Sequence, residues 1–409
     1  MPYVDPEWSP MTYDVAALRA RIPSLASGVA HFDGPGGSQV PDAVADAIRA
    51  ALTSSITNRG RVTAAEAAAE RVVADARAAL GDLLGVDPRG VVFGRSMTQL
   101  AFDFARTLSR TWRPGDEVVV TRLDHDANVR PWVLAAESVG ATARFADFDP
   151  DTGELTVDHV VAVLSDRTRL VAVTGAANLI GTRPPLADIA RVVHDAGALF
   201  FVDGVHQAAH VSVDVEAFGA DFYACSPYKF LGPHCGVLAA RPELLEGLRP
   251  DKLLPSTDAV PERFELGTLP YELLAGCTAT VDFLAGLGEG DDRRSRLVRA
   301  FTAIEAHEGR LRAKVEAGLA GLPEVNVRSR AVSRTPTLLL TFADHDPAAA
   351  YRFLAARGVN APAGSFYALE TSRHLGLGDS GGLRAGLAPY SDDDDVDRLL
   401  AGLAAFVRG

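Results

Sequence analysis

Residues 200–206 read Phe-Phe-Val-Asp-Gly-Val-His, an apolar run that delivers a carboxylate, Asp203, and then breaks at Gly204. A carboxylate at the end of such a run is costly unless a cation or hydrogen bonds compensate it. The run belongs to a series of short β-rich stretches: Val91–Phe93, Glu117–Thr121, Ala143–Phe148, Leu170–Thr174, Leu199–Val202, Phe222–Cys225 and Gly236–Ala240. Between them Val129–Ser138, Val157–Leu164 and Pro185–Ala196 carry the apolar spacing of helices. Apolar strands alternating with helices predict an α/β fold, a mostly parallel sheet between helices, and ligands of such sheets sit beyond the strands' carboxyl ends.

After about residue 285 the pattern changes. The charged stretch Glu289–Arg296 leads into a long helix reaching roughly Leu319, and strands at Thr335–Phe342 and Leu383–Leu387 flank a helix at Pro347–Arg357. The expected division is an N-terminal arm over 1–30 that joins a small α+β domain over 286–409, with a large domain over 31–285 between them. The acidic run Asp392–Asp395 reads as a helix start, with Ser391 as N-cap and Asp394 at the third helical position, and not as a metal site.

Composition excludes several classes. The chain has 409 residues, 47% of them hydrophobic, and a formal net charge of −13 with no long basic run. Nucleic acid and anionic membrane are therefore not expected partners. The first thirty residues lack a continuous apolar core and no eighteen apolar residues run together, so a cytoplasmic protein is expected. Cys225, Cys235 and Cys277 form neither a CxxC pair nor a metal-ligand spacing and are expected as reduced thiols. No strand is followed by GxGxxG, which removes a dinucleotide-binding dehydrogenase.

Of the 40 lysines and arginines only three are lysines. Lys252 and Lys314 lie in charged surroundings and read as surface groups, whereas Lys229 follows a strand in Cys225-Ser226-Pro227-Tyr228-Lys229-Phe230-Leu231-Gly232 and faces the edge where ligands bind. Asp203 ends another strand 26 residues earlier. The pyridinium nitrogen of pyridoxal phosphate is a cation that would justify it, since a carboxylate that keeps this nitrogen protonated strengthens the ring as an electron sink. Leu123-Asp124-His125-Asp126-Ala127-Asn128 follows a strand and offers His125 as a flat partner for an aromatic cofactor. Ser96-Met97-Thr98 opens a helix, whose free N–H groups and hydroxyls suit a phosphate.

These segments, with Pro131-Trp132, Asn178-Leu179-Ile180-Gly181-Thr182, Phe264-Glu265-Leu266-Gly267-Thr268 and Arg384 before Tyr390, occur in the order found in a known family. The chain resembles the fold-type I pyridoxal-phosphate enzymes of the class V aminotransferase and cysteine desulfurase family, over nearly its whole length and closest to the cysteine desulfurase-like branch. The resemblance implies that Lys229 forms the internal aldimine with pyridoxal 5′-phosphate and moves protons at the substrate, that Asp203 pairs with the pyridine nitrogen, and that His125 stacks on the ring. It puts His206 near the ring's phenolic oxygen and Ser96, Met97, Thr98, Ser226 and Tyr228 around the phosphate. Thr268 would serve the phosphate of a neighbouring subunit, which implies a homodimer. Asn178 and Arg384 would clamp the carboxylate of a small amino-acid substrate, and Asn58, Arg59 and the turn Gly34-Pro35-Gly36-Gly37 would line the pocket mouth.

One element of that pattern is missing. Desulfurases carry a mobile nucleophilic thiol on a loop shortly before the carboxylate-binding arginine, and here that stretch is Pro362-Ala363-Gly364-Ser365-Phe366-Tyr367-Ala368. Neither Ser365 nor Tyr367 can hold a persulfide. The expected function is a pyridoxal-phosphate lyase or transferase, with β-elimination or C–S lysis first and transamination or epimerisation as alternatives. The alternative of a different class is a cofactor-binding regulatory homologue without turnover.

Overall fold

The computed structural model describes residues 13–409, so part of the N-terminal arm expected over 1–30 lies outside the described residues. The seven anticipated strands form one sheet: β1 (Val91–Gly94), β2 (Glu117–Thr121), β3 (Thr142–Ala146), β4 (Thr168–Thr174), β5 (Leu199–Asp203), β6 (Phe222–Cys225) and β7 (Gly236–Ala240). Their order is β1-β7-β6-β5-β4-β2-β3. Strand β7 alone runs antiparallel to both of its neighbours, β1 and β6. The short connection between β6 and β7 explains this, because a parallel return requires a crossover of a dozen residues or more.

Alternation within the strands buries both faces. In β5, Phe200 and Val202 join one apolar cluster and Phe201 the other. Helices α1 (Ala64–Leu84), α2 (Met97–Ser109), α3 (Arg130–Ser138), α4 (Leu186–Asp195) and α5 (Tyr271–Ala285) follow in chain order. Helix α1 opens with a capping box in which Thr63 and Glu66 satisfy each other's backbone N–H groups. The segment expected as a helix over 157–164 closes earlier, at Val161, and continues as single turns bonded Val163 N–H to Val160 and Leu164 N–H to Val161.

Beyond α6 (Arg293–Leu319) a second sheet forms from β8 (Val325–Val327), β9 (Thr337–Phe342), β10 (Ala363–Gly364) and β11 (Gly382–Gly386), in the antiparallel order β10-β11-β9-β8. Helices α7 (Pro347–Ala355) and α8 (Asp393–Arg408) cover it, with Leu338, Leu340, Leu383 and Leu399 in a separate apolar cluster. The cap of α8 lies one residue later than expected: Asp392, not Ser391, accepts from the Asp395 N–H, and Asp395 returns the bond. The Ser391 hydroxyl is spent instead on the Ala388 N–H at 3.0 Å, where it closes the turn that leads into the helix.

Candidate active site

The carboxyl ends of β1, β2, β4, β5 and β6 converge on a cavity of about 580 Å³ whose far wall is Arg384 of β11 and the Phe366–Tyr367 turn. Register sets the spacing of the strand ends: Asp203 pairs with Thr174 on β4 and with Ala224 on β6. Gly204 makes the close packing behind Asp203 feasible, since a Cβ there would lie 1.9 Å from the Tyr223 ring.

Asp203 is buried, and burial raises its carboxyl pKa to about 6 against the opposing pull of the Val205 N–H and Lys229. Among the described residues only its Oδ1 has a protein donor, Val205 N at 2.9 Å, so the group is ready for a cationic partner. Burial and then the Arg384 charge lower the Lys229 amine to about 7, with Asp203 opposing. The amine donates to the Pro35 carbonyl, which holds it at the cavity wall.

His125 is likewise held neutral, at about 4, by burial first and by Lys229 and Arg384 after it. Its Nδ1 accepts from Ala127 N at 3.0 Å, which leaves the proton on Nε2. Beneath it runs a buried chain: Trp132 Nε1 donates to Asn128 Oδ1 at 3.1 Å, and Asn128 Nδ2 donates to Asp124 Oδ1 at 2.7 Å. Burial raises Asp124 to about 8, and the Thr121 hydroxyl donates to its other oxygen. The Asp-His-x-x-Asn spacing thus serves the rigidity of the loop that presents His125.

On the opposite wall Arg384 is buried with its Cζ 3.6 Å from the Phe366 ring centroid, and its Nη1 donates to the Asn178 carbonyl at 3.1 Å. Burial works against its charge, with Asp33 as the offsetting acid, and its Nε has no partner among the described residues. Asn178 Nδ2 donates to the Phe366 carbonyl at 3.0 Å, and its Oδ1 is buried without a donor among the described residues. His206 completes the set: it is buried and its Nδ1 also has no partner among the described residues.

Ser96, Met97, Thr98, Ser226 and Tyr228 line the same cavity. Ser96 caps α2 by accepting from Gln99 N at 3.1 Å, while Tyr228 stacks on His234 with ring centroids 4.8 Å apart. Pro35 and Gly36 of the glycine turn also face the cavity. Asn58, Arg59 and Thr268 do not line it. Arg59 instead forms a fork onto Glu70 at 2.9 Å and reaches Glu262 at 3.1 Å, so two acids take up the charge expected at the pocket mouth. Thr268 is exposed, beyond Glu265, whose carboxylate is locked by Arg77 and the Phe93 N–H.

Several lining residues escaped the sequence reading. Asp126 and Arg130 pair at 3.2 Å at the mouth, and Phe102 sits one turn beyond Thr98. Helical spacing from Asp126 and Thr98 was the available signal. Phe366 and Tyr367 adopt positive φ values of 51° and 59°, which no residue type in that loop announces. The three cysteines are buried; burial pushes the Cys225 thiol up, and a hydrogen bond with Cys235, followed by burial, pushes the Cys277 thiol up. Among the described residues no cluster of three or more metal-ligating side chains occurs, and no helix is long and apolar enough to cross a membrane.

An amine near neutrality, a buried acid short of partners, a flat neutral imidazole and a hydroxyl-lined helix start fit pyridoxal 5′-phosphate, and with the α/β sheet they define a fold-type I enzyme of that cofactor. The class V aminotransferase family model matches residues 30–399, and the chain belongs to that family, whose enzymes use pyridoxal phosphate. It is 33% identical over 401 residues to an uncharacterized protein of Mycobacterium tuberculosis, covering 97% of this chain and 100% of the other. It is 32% identical over 413 residues to a cysteine desulfurase of Dickeya dadantii, with 96% of each chain covered. The crystal structure of the Escherichia coli cysteine desulfurase CsdA superposes with a TM-score of 0.85 at 26% identity, over 97% of this chain and 99% of that one.

Proposed function

We propose that this enzyme cleaves the β-carbon–sulfur bond of cysteine or a small S-substituted cysteine without using a persulfide on the protein. The observation that carries the reading is a pairing: the cavity retains Lys229, Asp203, His125 and Arg384, while the loop before Arg384 has no thiol and all three cysteines are buried.

Bound in this cavity, pyridoxal phosphate supplies an electron sink that acidifies the substrate α-hydrogen. With the cofactor bound, Asp203 would keep the ring nitrogen protonated, His125 would offer its flat face to the ring, and Ser96, Met97, Thr98, Ser226 and Tyr228 would hold the phosphate. Arg384 and Asn178 grip the substrate carboxylate. Lys229 would hold the cofactor at its aldehyde end, and its neutral amine would take the substrate α-proton. The α-C–H and β-C–S bonds break, the C–H electron pair becomes a C=C bond, and the proton goes to the departing sulfur. One water then hydrolyses the released enamine, so the products are a thiol or hydrogen sulfide, pyruvate and ammonia.

The reading extends to the assembly. The protein acts as a cytoplasmic homodimer in which Thr268, exposed outside its own cavity, serves the neighbouring phosphate; each subunit has an arm over 1–30, a large domain over 31–285 and a small domain over 286–409, and reduced, unpaired thiols support the compartment.

A panel of cysteine, cysteine S-conjugates and cysteine sulfinate, added to the yellow holoenzyme, tests the activity. Pyruvate, ammonia and thiol released in equal amounts support β-elimination. A keto acid without ammonia would mean transamination, a D-amino acid epimerisation, and an unchanged substrate with an intact cofactor band a regulatory homologue; each of these overturns the reading.

A further inference from the structure

His206 has a pattern of partners that fixes which of its ring nitrogens carries the proton. Its Nε2 lies 2.9 Å from the Thr337 hydroxyl and 3.1 Å from that of Thr335. The Thr335 hydroxyl donates to the Gly181 carbonyl at 3.3 Å, whereas His206 is the only hydrogen-bond partner of the Thr337 hydroxyl among the described residues. Thr337 is fully buried, and a buried hydroxyl proton needs an acceptor. Nε2 is that acceptor. The imidazole is neutral, since burial and the neighbouring His210, Arg384 and Lys229 all oppose its protonation. Its one proton therefore sits on Nδ1, the buried nitrogen with no partner.

The groups around the ring leave little else to decide that proton. His210 meets His206 edge to face at 4.7 Å and is itself tied to Glu308 of α6 at 2.9 Å; Lys229 approaches from the loop after β6 and Arg384 from β11. Thr335 and Thr337, at the start of the second sheet, are uncharged.

The following step rests on the reading of the cavity as a pyridoxal-phosphate site. In that cofactor the ring nitrogen and the aldehyde carbon define an axis, with the phosphate arm and the 3-hydroxyl on opposite sides. Asp203 on β5 and Lys229 after β6 mark the axis. The hydroxyls of Ser96, Thr98 and Ser226 belong to β1 and β6, on one side of β5 in the sheet, and Asn178 follows β4 on the other. His206 and Asn178 are the groups left for the 3-hydroxyl side. Asn178 Nδ2 spends one of its two hydrogens on the Phe366 carbonyl, and the other is the one the proposed carboxylate clamp uses, which leaves His206 for the 3-oxygen.

We infer that Thr337 is a positioning residue: by donating to His206 Nε2 it turns Nδ1–H into the protein's hydrogen-bond donor for the cofactor's 3-oxygen. The residue belongs to the second sheet and acts through His206, so it ties the electronic state of the cofactor to the seating of that sheet against the large one. Removing the hydroxyl lets the proton move to Nε2 and donate to Thr335, after which Nδ1 becomes an acceptor and ceases to stabilise negative charge on the ring oxygen.

The holoenzyme's visible band is titrated with pH for wild type, Thr337→Val and Thr337→Ser. Thr337→Val should raise the midpoint by roughly 0.5 to 1 pH unit, the equivalent of one hydrogen bond, and Thr337→Ser should restore it. An unchanged midpoint in a folded, cofactor-loaded Thr337→Val protein overturns the inference. Should that variant fail to fold, nitrogen-15 NMR of histidine-labelled wild-type holoenzyme decides: a proton on His206 Nδ1 supports it and a proton on Nε2 overturns it. If the wild type shows no visible band with added cofactor, the underlying site reading fails, a separate and distinguishable outcome.

Discussion

The Arg384 guanidinium lies over the Phe366 ring at 3.6 Å, and Asn178, which accepts from Arg384, donates in turn to the Phe366 carbonyl at 3.0 Å. The Phe366–Tyr367 turn is thereby joined to the pair proposed as the carboxylate clamp. A second tie, from Asp126 N to the Tyr367 carbonyl at 2.7 Å, fixes the same turn to the loop that presents His125. Two successive residues at positive φ are held by these bonds. Each such residue costs on the order of 1 kcal/mol or more, so the turn is over-determined by its contacts.

Replacing Arg384 by lysine keeps the charge but removes the fork and the stacking plane. The expected result is a KM raised roughly 10- to 100-fold, the size of one charged hydrogen bond, with a smaller change in kcat. Steady-state kinetics on the best substrate of the panel checks it. An unchanged KM would remove Arg384 from the clamp.

The depressed amine of Lys229 makes a prediction about pH. With a value near 7, cofactor capture by the cofactor-free protein should quicken as pH rises through 7 and level off above it. An ordinary lysine would keep accelerating towards its reference value near 10.4. Stopped-flow growth of the visible band across pH 6 to 10 distinguishes the two profiles, and borohydride reduction should leave the pyridoxyl group on the peptide that contains Lys229. For stability the sign runs the same way: between about 7 and the unfolded value the unfolded chain binds the extra proton, so this group makes the cofactor-free fold more stable as pH rises through that window.

Glu265 shows how a motif residue can matter without touching the cavity. Its side chain is 4% exposed and accepts from Arg77 through both oxygens, at 2.9 and 2.8 Å, and from Phe93 N at 2.9 Å. Glu265→Ala leaves the buried Arg77 charge with Glu262 at 3.5 Å as its one remaining acid among the described residues, beside the Val91 carbonyl. It should lower unfolding free energy by about 3 kcal/mol, measured by urea denaturation of the cofactor-free protein. A loss below about 1 kcal/mol would show that water reaches Arg77.

The sheet was legible because its strands are apolar on both faces and end in polar residues, so Asp203, Lys229 and His125 declared themselves by position. Asn58 and Arg59 were not so readable, since an arginine's partner depends on which acids the tertiary fold brings near, here Glu70 and Glu262 from distant helical turns. The cap of α8 was misplaced by one residue because Ser391 and Asp392 are both good N-caps, and only the turn at Ala388 decides which is free. Thr337 carried no signal at all. A threonine in a strand reads as a strand former until its hydroxyl is seen to meet His206.

The sharpest departure from the desulfurases can be put at risk directly. Cys225, Cys235 and Cys277 are each at most 2% exposed, out of reach of a sulfur acceptor, and the Cys225 and Cys277 thiols are also pushed up in pKa, away from the nucleophilic thiolate. Alanine at all three positions removes every thiol of the chain. The fold should lose stability through the small cavities left behind, of order 1 kcal/mol each, while the rate of pyruvate release from the best substrate stays within about twofold. Sulfide transfer to an acceptor thiol that disappears in the triple variant, at unchanged cofactor loading, would make one of these cysteines a carrier. In that event the region around the Lys229 loop must open far enough in turnover to expose Cys235, and the pinned Phe366–Tyr367 turn would no longer be the place to look for this enzyme's departure from its relatives.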